Sequence, residues 1–331
     1  MLELLAVTGE GLVRLTQEES NWHAELVRAD ERMRCVAVDP ADAATVYVGS
    51  RANGVCKSSD RGAHWQGLQL PQQDVFSLAI SPADGSVYAG TEPSILFKST
   101  DGGTTWRELD ALRRLPSAQT WSFPPRPETS HVSSIAPNPE DAGLLIVGIE
   151  LGGLMLSQDG GESWQDHRPG AEKDVHALAW HPRATERAYE AGGGGAAWSR
   201  DGGRGWASAN QGRDRHYTWA LAIDPEDPDC WYISACPGPR EAHSNADAQA
   251  YVYRWRNNGP WEALAGGLPQ PLSSMAYTLL AAEGRLFAGL RNGQLYESDD
   301  AGDTWRELSP RGASLSGLIA IQAAVQHKHN H

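Results

Sequence analysis

Short apolar runs separated by turn residues recur along this chain. In one unit the apolar runs are Val75–Ile80, Val87–Gly90, Ile95–Lys98 and Trp106–Leu109, with the turn Ser81–Gly85 after the first. Runs of this length bounded by Gly, Pro, Asp and Ser are typical of β-strands. Four such runs in one unit predict a small antiparallel sheet of four strands.

The same plan is visible elsewhere, in Cys35–Val38 with Val46–Gly49 and in Ala177–Trp180 with Ala188–Ala191. A tryptophan marks each unit; the seven positions are Trp22, Trp65, Trp106, Trp164, Trp206, Trp261 and Trp305. They are separated by 43, 41, 58, 42, 55 and 44 residues. A repeat of this period is typical of propeller blades. The pattern therefore predicts an all-β fold, a single seven-bladed β-propeller over residues 1–331, with insertions at 110–130 and 237–250.

The two ends of the chain predict how the ring closes. The first unit begins near Leu4 and lacks its innermost strand, whereas Leu318–Ile321 forms an apolar run at the far end. We expect this C-terminal strand to join the N-terminal blade, because closure removes sheet edges that would otherwise pair with other molecules.

Five of the tryptophans end the phrase Ser-x-Asp-x-Gly-x-x-Trp, whose acidic positions are Asp60, Asp101, Asp159, Asp201 and Asp300. The Asp carboxylate can accept backbone N–H groups within its own turn. The Gly suits a positive φ, and the Trp buries its ring between sheets. In the degenerate copy that ends at Trp261, Asn258 takes the Gly position, as the next most tolerant residue. Turn chemistry explains every residue type, so we predict that these aspartates are structural.

In tandem, this phrase resembles the Asp-box, or BNR repeat, and the chain is similar to the Asp-box β-propeller superfamily. That superfamily includes sialidases, xyloglucan-active glycoside hydrolases, sortilin-type receptor domains and photosystem assembly factors. The resemblance implies that the Asp-box turns lie on the face opposite the functional site. The chain has no Arg-Ile-Pro phrase, which argues against a sialidase. The units follow one another without interruption in a single propeller. In this respect the chain is more similar to the bacterial Asp-box proteins related to photosystem assembly factors.

Composition excludes some partners. A formal net charge of -14 argues against nucleic acid and against an anionic membrane surface. No stretch approaches the roughly 20 apolar residues of a membrane helix. The N-terminus lacks a basic segment before its apolar run, which predicts a cytoplasmic protein, or a secreted one if a precursor was trimmed.

The four cysteines are expected to be unpaired. Cys230 and Cys236 are six residues apart in one strand-like run, a span of about 20 Å, and Cys35 and Cys56 are expected roughly 10 Å apart across a strand. Both separations are too long for a disulfide, and reduced thiols fit the cytoplasm.

Aligning the units predicts where a site would form. Arg51, Glu92, Glu150 and Arg291 take equivalent positions in the loops between second and third strands, on the face where first strands begin. The first strands begin with Arg34, Asp74, His131, Asp174, His176, Tyr217 and Trp219. Because propeller mouths commonly bind ligands, we predict a ligand site of Arg34, Arg51, His131, His176, Trp219 and Arg291. The ordinary alternative is a solvated rim whose arginines pair with Glu92 or Glu150.

Both insertions should lie on this face. Trp121 and Phe123, in the first, are predicted to contact a sugar ring or a partner peptide if exposed. The alternative is that they pack onto the blades.

Two functions remain open. The first is a monomeric, non-catalytic propeller that binds a carbohydrate or a protein segment, without cofactor or metal. The second is a glycoside hydrolase. If the carboxyl groups of Asp74 and Asp174 face each other about 6.5–9.5 Å apart, they would suit an inverting glycosidase mechanism. Glu92 with Glu150 is the other pair, and Tyr217 would be the nucleophile of a retaining route. His327, His329 and His331 alternate at the end of the chain and are interpreted as a frayed terminus.

Overall fold

Seven sheets, antiparallel except for the short edge strand Arg311–Gly312, make up the protein, seen in a computed structural model that describes residues 2–19 and 21–325. Blade 1 contains β1 (Glu3–Thr8), β2 (Gly11–Glu18) and β3 (Asn21–Ala29). Blade 2 contains β4 (Met33–Val38), β5 (Val46–Ser50), β6 (Gly54–Ser58) and β7 (Gln66–Gly67). Blade 3 contains β8 (Val75–Ile80), β9 (Val87–Thr91), β10 (Leu96–Ser99) and β11 (Arg107–Glu108). Blade 4 contains β12 (Val132–Pro137), β13 (Leu145–Ile149) and β14 (Gly153–Ser157), and its outer edge is a single bridge between Leu156 and Gln165.

The remaining blades follow the same order. Blade 5 contains β15 (Val175–Trp180), β16 (Ala188–Gly192), β17 (Gly195–Ser199) and β18 (Ala207–Ser208). Blade 6 contains β19 (Tyr217–Ile223), β20 (Cys230–Cys236), β21 (Tyr251–Arg256) and β22 (Glu262–Ala263). Blade 7 contains β23 (Ala276–Ala282), β24 (Arg285–Leu290), β25 (Leu295–Ser298) and β26 (Arg306–Leu308). The seven-bladed, all-β prediction is confirmed.

The chain then returns to blade 1 with β27 (Arg311–Gly312) and β28 (Ala320–Ala324). β28 pairs antiparallel with β1 and is the innermost strand, so the predicted closure is confirmed. The strand begins two residues later than the run Leu318–Ile321. A turn at Gly317, with φ of +75°, precedes it, and the Ile319 amide then bonds the Val7 carbonyl at 2.9 Å.

Among the described residues, helix is confined to three short segments. Asp110–Arg114 and Pro116–Thr120 are 3-10 turns in the first insertion, and Pro239–Ala242 is a one-turn α-helix in the second. Within residues 2–19 and 21–325 there is no helix of the length and hydrophobicity needed to span a membrane. All four cysteines are free thiols.

The core lies between neighbouring blades, where small residues in second strands allow close packing. A Cβ added at Gly49 would lie 2.6 Å from Val75 of the next blade. The equivalent distances are 2.6 Å from Gly90 to Val132 and 2.3 Å from Gly148 to Val175. Glycine therefore lets the first strand of each following blade pack directly on the preceding sheet.

The Ser–Asp turns between third and outer strands have the predicted geometry. In the first, Ser58 donates to Asp60 at 2.8 Å, and the Gly62 amide donates to the Ser58 hydroxyl at 2.7 Å. The five Gly residues have φ between +76° and +96°. Four of the five Trp indoles donate to the Gly carbonyl of their own turn, at 2.9–3.1 Å. Among the described residues, the Trp106 indole has no such partner.

Candidate ligand site at the mouth of the central channel

One backbone hydrogen bond is repeated around the channel mouth and positions the charged side chains there. The residue that follows the second strand donates its amide to the carbonyl just before the first strand. The pairs are Arg51 to Arg32, Glu92 to Asp74, Glu150 to His131, Gly193 to Asp174 and Arg291 to Met275, at 2.8–3.3 Å. The loop positions that the sequence alignment treated as equivalent are therefore equivalent in the structure.

A β-bulge in the first strand of six blades places one residue at the wall of the channel. The bulge residues are Arg34, Phe76, Ser133, His176, Trp219 and Tyr277, with Ala220 sharing the bulge of Trp219. An extra residue in one strand leaves the ladder and re-aims its side chain. All six line a cavity of about 520 Å³, the channel cavity, and we call them the bulge ring.

On one side of the bulge ring, the aromatic side chains of successive blades stack on one another. Trp219 lies between His176 of the preceding blade, at 4.5 Å between ring centroids, and Tyr277 of the following blade, at 4.8 Å. Because both faces of the indole are covered, the part of Trp219 that borders the cavity is its edge. Aromatic edges carry partial positive charge, so this wall favours electron-rich atoms over a stacked sugar ring.

On the opposite side of the bulge ring, neighbouring side chains also cover the aromatic ring of Phe76. His131 stacks on it with centroids 3.9 Å apart, and the guanidinium carbons of Arg34 and Arg51 lie 5.3 and 5.7 Å from the ring centre. Phe123 meets His131 edge-on at 5.0 Å. The channel cavity is therefore walled by packed rings and guanidinium groups on both sides.

The carboxylates Glu92 and Glu150 are both occupied by cationic or hydrogen-bonding partners. Glu92 is 7% exposed and accepts two hydrogen bonds from Arg126, at 2.8 and 2.5 Å. His131 lies between the two carboxylates, with Nδ1 3.8 Å from Glu92 and Nε2 2.5 Å from Glu150. Neither carboxylate is a free acid facing an open cleft.

The other candidate catalytic groups do not converge. Asp74 lies 3.4 Å from Arg51 and borders an adjoining cavity, whereas Asp174 lines neither cavity and lies 3.5 Å from His176. Tyr217 is buried against His176 and also lines neither. Burial raises the pKa of Tyr217 well above its usual range, which disfavours a phenolate nucleophile. Asp74 and Asp174 thus do not face each other across a shared cavity.

Arg34 has an unusual environment among the cations of the mouth. It borders both cavities, and among the described residues it has neither a carboxylate partner nor a hydrogen-bond acceptor for its guanidinium group. Burial, followed by the nearby charge of Arg51, lowers its pKa. The protein thus holds a charged group here at an electrostatic cost.

The insertion 110–130 folds onto blade 4. Leu112 and Trp121 are buried in the core, and the Trp121 indole donates to Ser117 at 3.0 Å. Ser117 in turn is held by Asp166, at 2.5 Å from its hydroxyl and 3.1 Å from its amide. The idea that Trp121 is an exposed contact is therefore wrong, because its large apolar ring is packed inside. Phe123, a few residues later, does line the channel cavity.

The insertion 237–250 also contributes to the mouth. His243 lines the channel cavity, and its Nδ1 lies 2.6 Å from the Tyr277 hydroxyl. Arg291 donates to the His243 carbonyl at 2.8 Å. Burial and the charge of Arg291 lower the pKa of His243, so its imidazole is neutral at pH 7. The second insertion is thus fastened to blade 7.

Sequence reasoning missed Phe76, Arg126, His243 and Tyr277. For two of these residues, the position within the first strand was a signal in the sequence. Phe76 and Tyr277 take the second position of their first strands, as Arg34 and His176 do. Arg126 and His243 belong to insertions without a repeat to align, so no pattern marked them.

Within residues 2–19 and 21–325, no three His, Cys, Asp or Glu side chains are grouped as metal ligands. His327, His329 and His331 lie outside the described residues.

No protein-family model matches this chain. A segment of 112 residues is 27% identical to the photosystem II assembly lipoprotein Ycf48 of Synechococcus sp. (strain CC9902). That segment spans 33% of this chain and 29% of the relative.

Solved structures share the architecture. An ancestral GH74 enzyme matches with a TM-score of 0.66 and 21% identity, over 83% of this chain and 38% of that one. YCF48 bound to D1 peptide matches with a TM-score of 0.60 and 16% identity, over 88% and 90% of the two chains. The protein is thus a seven-bladed β-propeller whose structural neighbours include Ycf48 and GH74 propellers. At these identities the likeness shows the fold alone.

Proposed function

We propose that this protein is a non-catalytic Asp-box propeller that binds a ligand, or a segment of a partner protein, at the mouth of its central channel. The observation that carries the proposal is the bulge ring, in which six blades each contribute one bulge residue to the lining of the same cavity. A solvated rim would not require six coordinated departures from the strand register. Concave sites with aromatic walls and a few polar groups are the usual places for ligands.

The state of the carboxylates supports binding over hydrolysis. An inverting glycosidase needs one acid to protonate the leaving group and a second, separated carboxylate to activate water. Here Glu92 is held by Arg126, Glu150 by His131 and Asp74 by Arg51. The covered faces of Trp219 and Phe76 also leave these rings without a free platform for a sugar.

Both uses are represented among proteins of this fold, since one neighbour was solved with a bound peptide and another is an enzyme. We favour a protein segment or a small polar ligand over a polysaccharide. The protein is further proposed to act as a cytoplasmic monomer. Light scattering should then give a mass of 35.8 kDa, and a dimer mass would contradict the monomer.

The first test is partner capture with matched variants. A Phe123→Ala, Arg291→Gln double variant alters the mouth, and a His64→Ala, Arg183→Gln double variant makes a similar change on loops of the other face. Specific partners should be lost only with the first variant. Equal capture by both variants would contradict binding at the mouth.

The second test is a hydrolysis screen over oligosaccharides and sialosides. We expect no turnover. Turnover that disappears in Asp74→Asn or Glu150→Gln would replace the binding proposal with a glycosidase.

A further inference from the structure

A second cavity, of about 580 Å³, adjoins the channel cavity where blade 1 meets its neighbours. Its walls come from loops of blades 1, 2, 3 and 7 and from the segment that closes the ring. Arg34, Arg51 and Arg291 border both cavities, so the two spaces share one arginine-rich wall. We call this second space the seam cavity.

The seam cavity is positively charged in an acidic protein. Four arginines line it, the three shared ones and Arg32, against the two carboxylates of Glu31 and Asp74. The chain as a whole carries a formal net charge of -14. A local excess of two positive charges inside a concavity focuses the field and attracts anions.

The arginines of the seam cavity differ in whether a carboxylate already neutralises their charge. Arg51 faces Asp74 at 3.4 Å. Within the described part of the chain, Arg291 bonds only neutral groups, the His243 carbonyl at 2.8 Å and the Tyr277 hydroxyl at 3.4 Å. Arg34 has no carboxylate partner among the described residues. Two guanidinium groups are thus left with unused donors that face the same space.

Desolvated, uncompensated charge lowers stability unless a partner neutralises it. Burial and Arg51 both oppose the charged state of Arg34. The nearby charges of Asp74 and Glu92 offset part of this cost, but neither carboxylate forms an ion pair with Arg34, so a bound anion would offset more of it. Guanidinium groups suit carboxylate and phosphate because their planar donors match two oxygens at once.

We propose that the seam cavity binds an oxyanion, a carboxylate or phosphate group of the ligand, between Arg34 and Arg291. The inference rests on the proposed function, because it assigns a chemical class to the ligand of the same mouth. The rest of that ligand would extend into the channel cavity, where the edge of Trp219 also favours electron-rich atoms.

The test uses the full chain with two probes, sodium phosphate and sodium succinate, titrated at pH 7 and constant ionic strength by calorimetry and thermal melting. The variants are Arg34→Gln, Arg34→Lys and Arg291→Gln. Arg183→Gln is the control of matched charge, since Arg183 is 66% exposed and pairs with Glu226 on another loop.

We expect saturable binding of a probe to the wild type and to Arg183→Gln. In Arg34→Gln the affinity for the probe should fall about tenfold or more, because a hydrogen-bonded charge is lost. Arg34→Lys should retain part of the affinity. Without probe, Arg34→Gln should melt at or above the wild-type temperature, since it removes a cation that burial and the charge of Arg51 disfavour. If Arg291→Gln fails to fold, Arg34→Gln still decides the question.

A stronger response to phosphate would indicate a phosphorylated ligand, and a stronger response to succinate a carboxylate ligand. No saturable response to either, or equal responses in wild type and Arg34→Gln, would overturn the inference. The proposed function has a separate readout. Partner capture that is lost in the Phe123→Ala, Arg291→Gln variant would survive a failure of the anion test.

Discussion

The Arg126 guanidinium binds the Glu92 carboxylate through two hydrogen bonds, of 2.8 and 2.5 Å. Arg126 belongs to the insertion 110–130, whereas Glu92 follows the second strand of blade 3. The pair therefore ties an irregular segment to the rim of the channel. Arg126 also lies 5.0 Å from the centre of the Phe123 ring, so the same contact holds Phe123 in place at the cavity.

Loss of this pair should loosen the insertion. We expect Arg126→Ala to cost about 1–3 kcal/mol of unfolding free energy, because it leaves the nearly buried Glu92 carboxylate without its main partner. Arg126→Ala combined with Glu92→Gln should recover part of that loss. Hydrogen exchange of residues 121–130 should rise in the single variant. Arg114→Ala, which breaks an exposed pair with Asp110, is the control, and equal losses in the two single variants would contradict the prediction.

Two neighbouring aromatic residues should behave differently when truncated. Trp121 is 9% exposed and packs in the core of blade 4. Trp121→Ala is therefore expected to lower stability by about 3–5 kcal/mol. Phe123→Ala should cost much less, because the ring is only partly buried, yet it should weaken ligand binding at the channel cavity. Denaturant unfolding and partner capture on the same pair of variants check this. Similar stability losses would show that Phe123 is equally structural.

A buried carboxyl group in blade 5 makes stability depend on pH. Glu190, on β16, is fully buried; one oxygen accepts the Glu172 amide at 2.9 Å, and within the described chain the other has no partner. Burial raises its pKa well above the ordinary 4.5. The folded state therefore retains a proton that the unfolded state loses. This favours unfolding progressively as the pH rises above about 4.5.

Glu190→Gln should remove that penalty. We expect the variant to be more stable than wild type at pH 8, because at that pH the wild-type carboxyl group must either bind a proton on folding or be buried with its charge. At pH 4 the difference should vanish. Glu226→Gln, at an exposed position, serves as the control. Parallel stability curves for wild type and Glu190→Gln between pH 4 and 8 would refute the assignment.

Ring closure can be tested by truncation. Leu318 and Ile321 are buried in the core shared by blades 1 and 7. We expect a chain that ends before Leu315 to unfold or aggregate, because it exposes this core and the edge of β1. A chain ending at Val325 keeps all of β28 and is the control. A soluble short chain with the melting temperature of the control would contradict the prediction.

The repeat made the fold predictable. β8 was predicted at its observed bounds, and the blade number followed from the tryptophan spacing because each blade must bury its faces against two neighbours. Closure followed from the two ends of the chain, since the first unit lacks a strand that the last segment supplies. The terminal strand was misplaced by two residues. Apolar character marked Leu318 as strand, but its position in the core depends on the turn at Gly317, which hydrophobicity does not encode.

The site was predictable only where the repeat reaches it. Arg51, Glu92, Glu150 and Arg291 could be aligned, because one backbone hydrogen bond fixes their loop position. Which charges pair could not be read from the alignment. Arg126, the partner of Glu92, comes from an insertion with no counterpart in other blades. Trp121 and Phe123 have similar sequence surroundings, and only tertiary packing separates a core residue from a cavity residue.

The bulge ring has a consequence for how such a protein can change. Each of its residues has left the strand ladder, so the regular strand pairing of the blade does not depend on which side chain stands there. The same backbone position carries Arg34, Ser133 and Trp219 in three blades of this one chain. The channel wall therefore offers one exchangeable side chain per blade on an unchanged scaffold, and rings that stack on one another, such as His176, Trp219 and Tyr277, would have to change together.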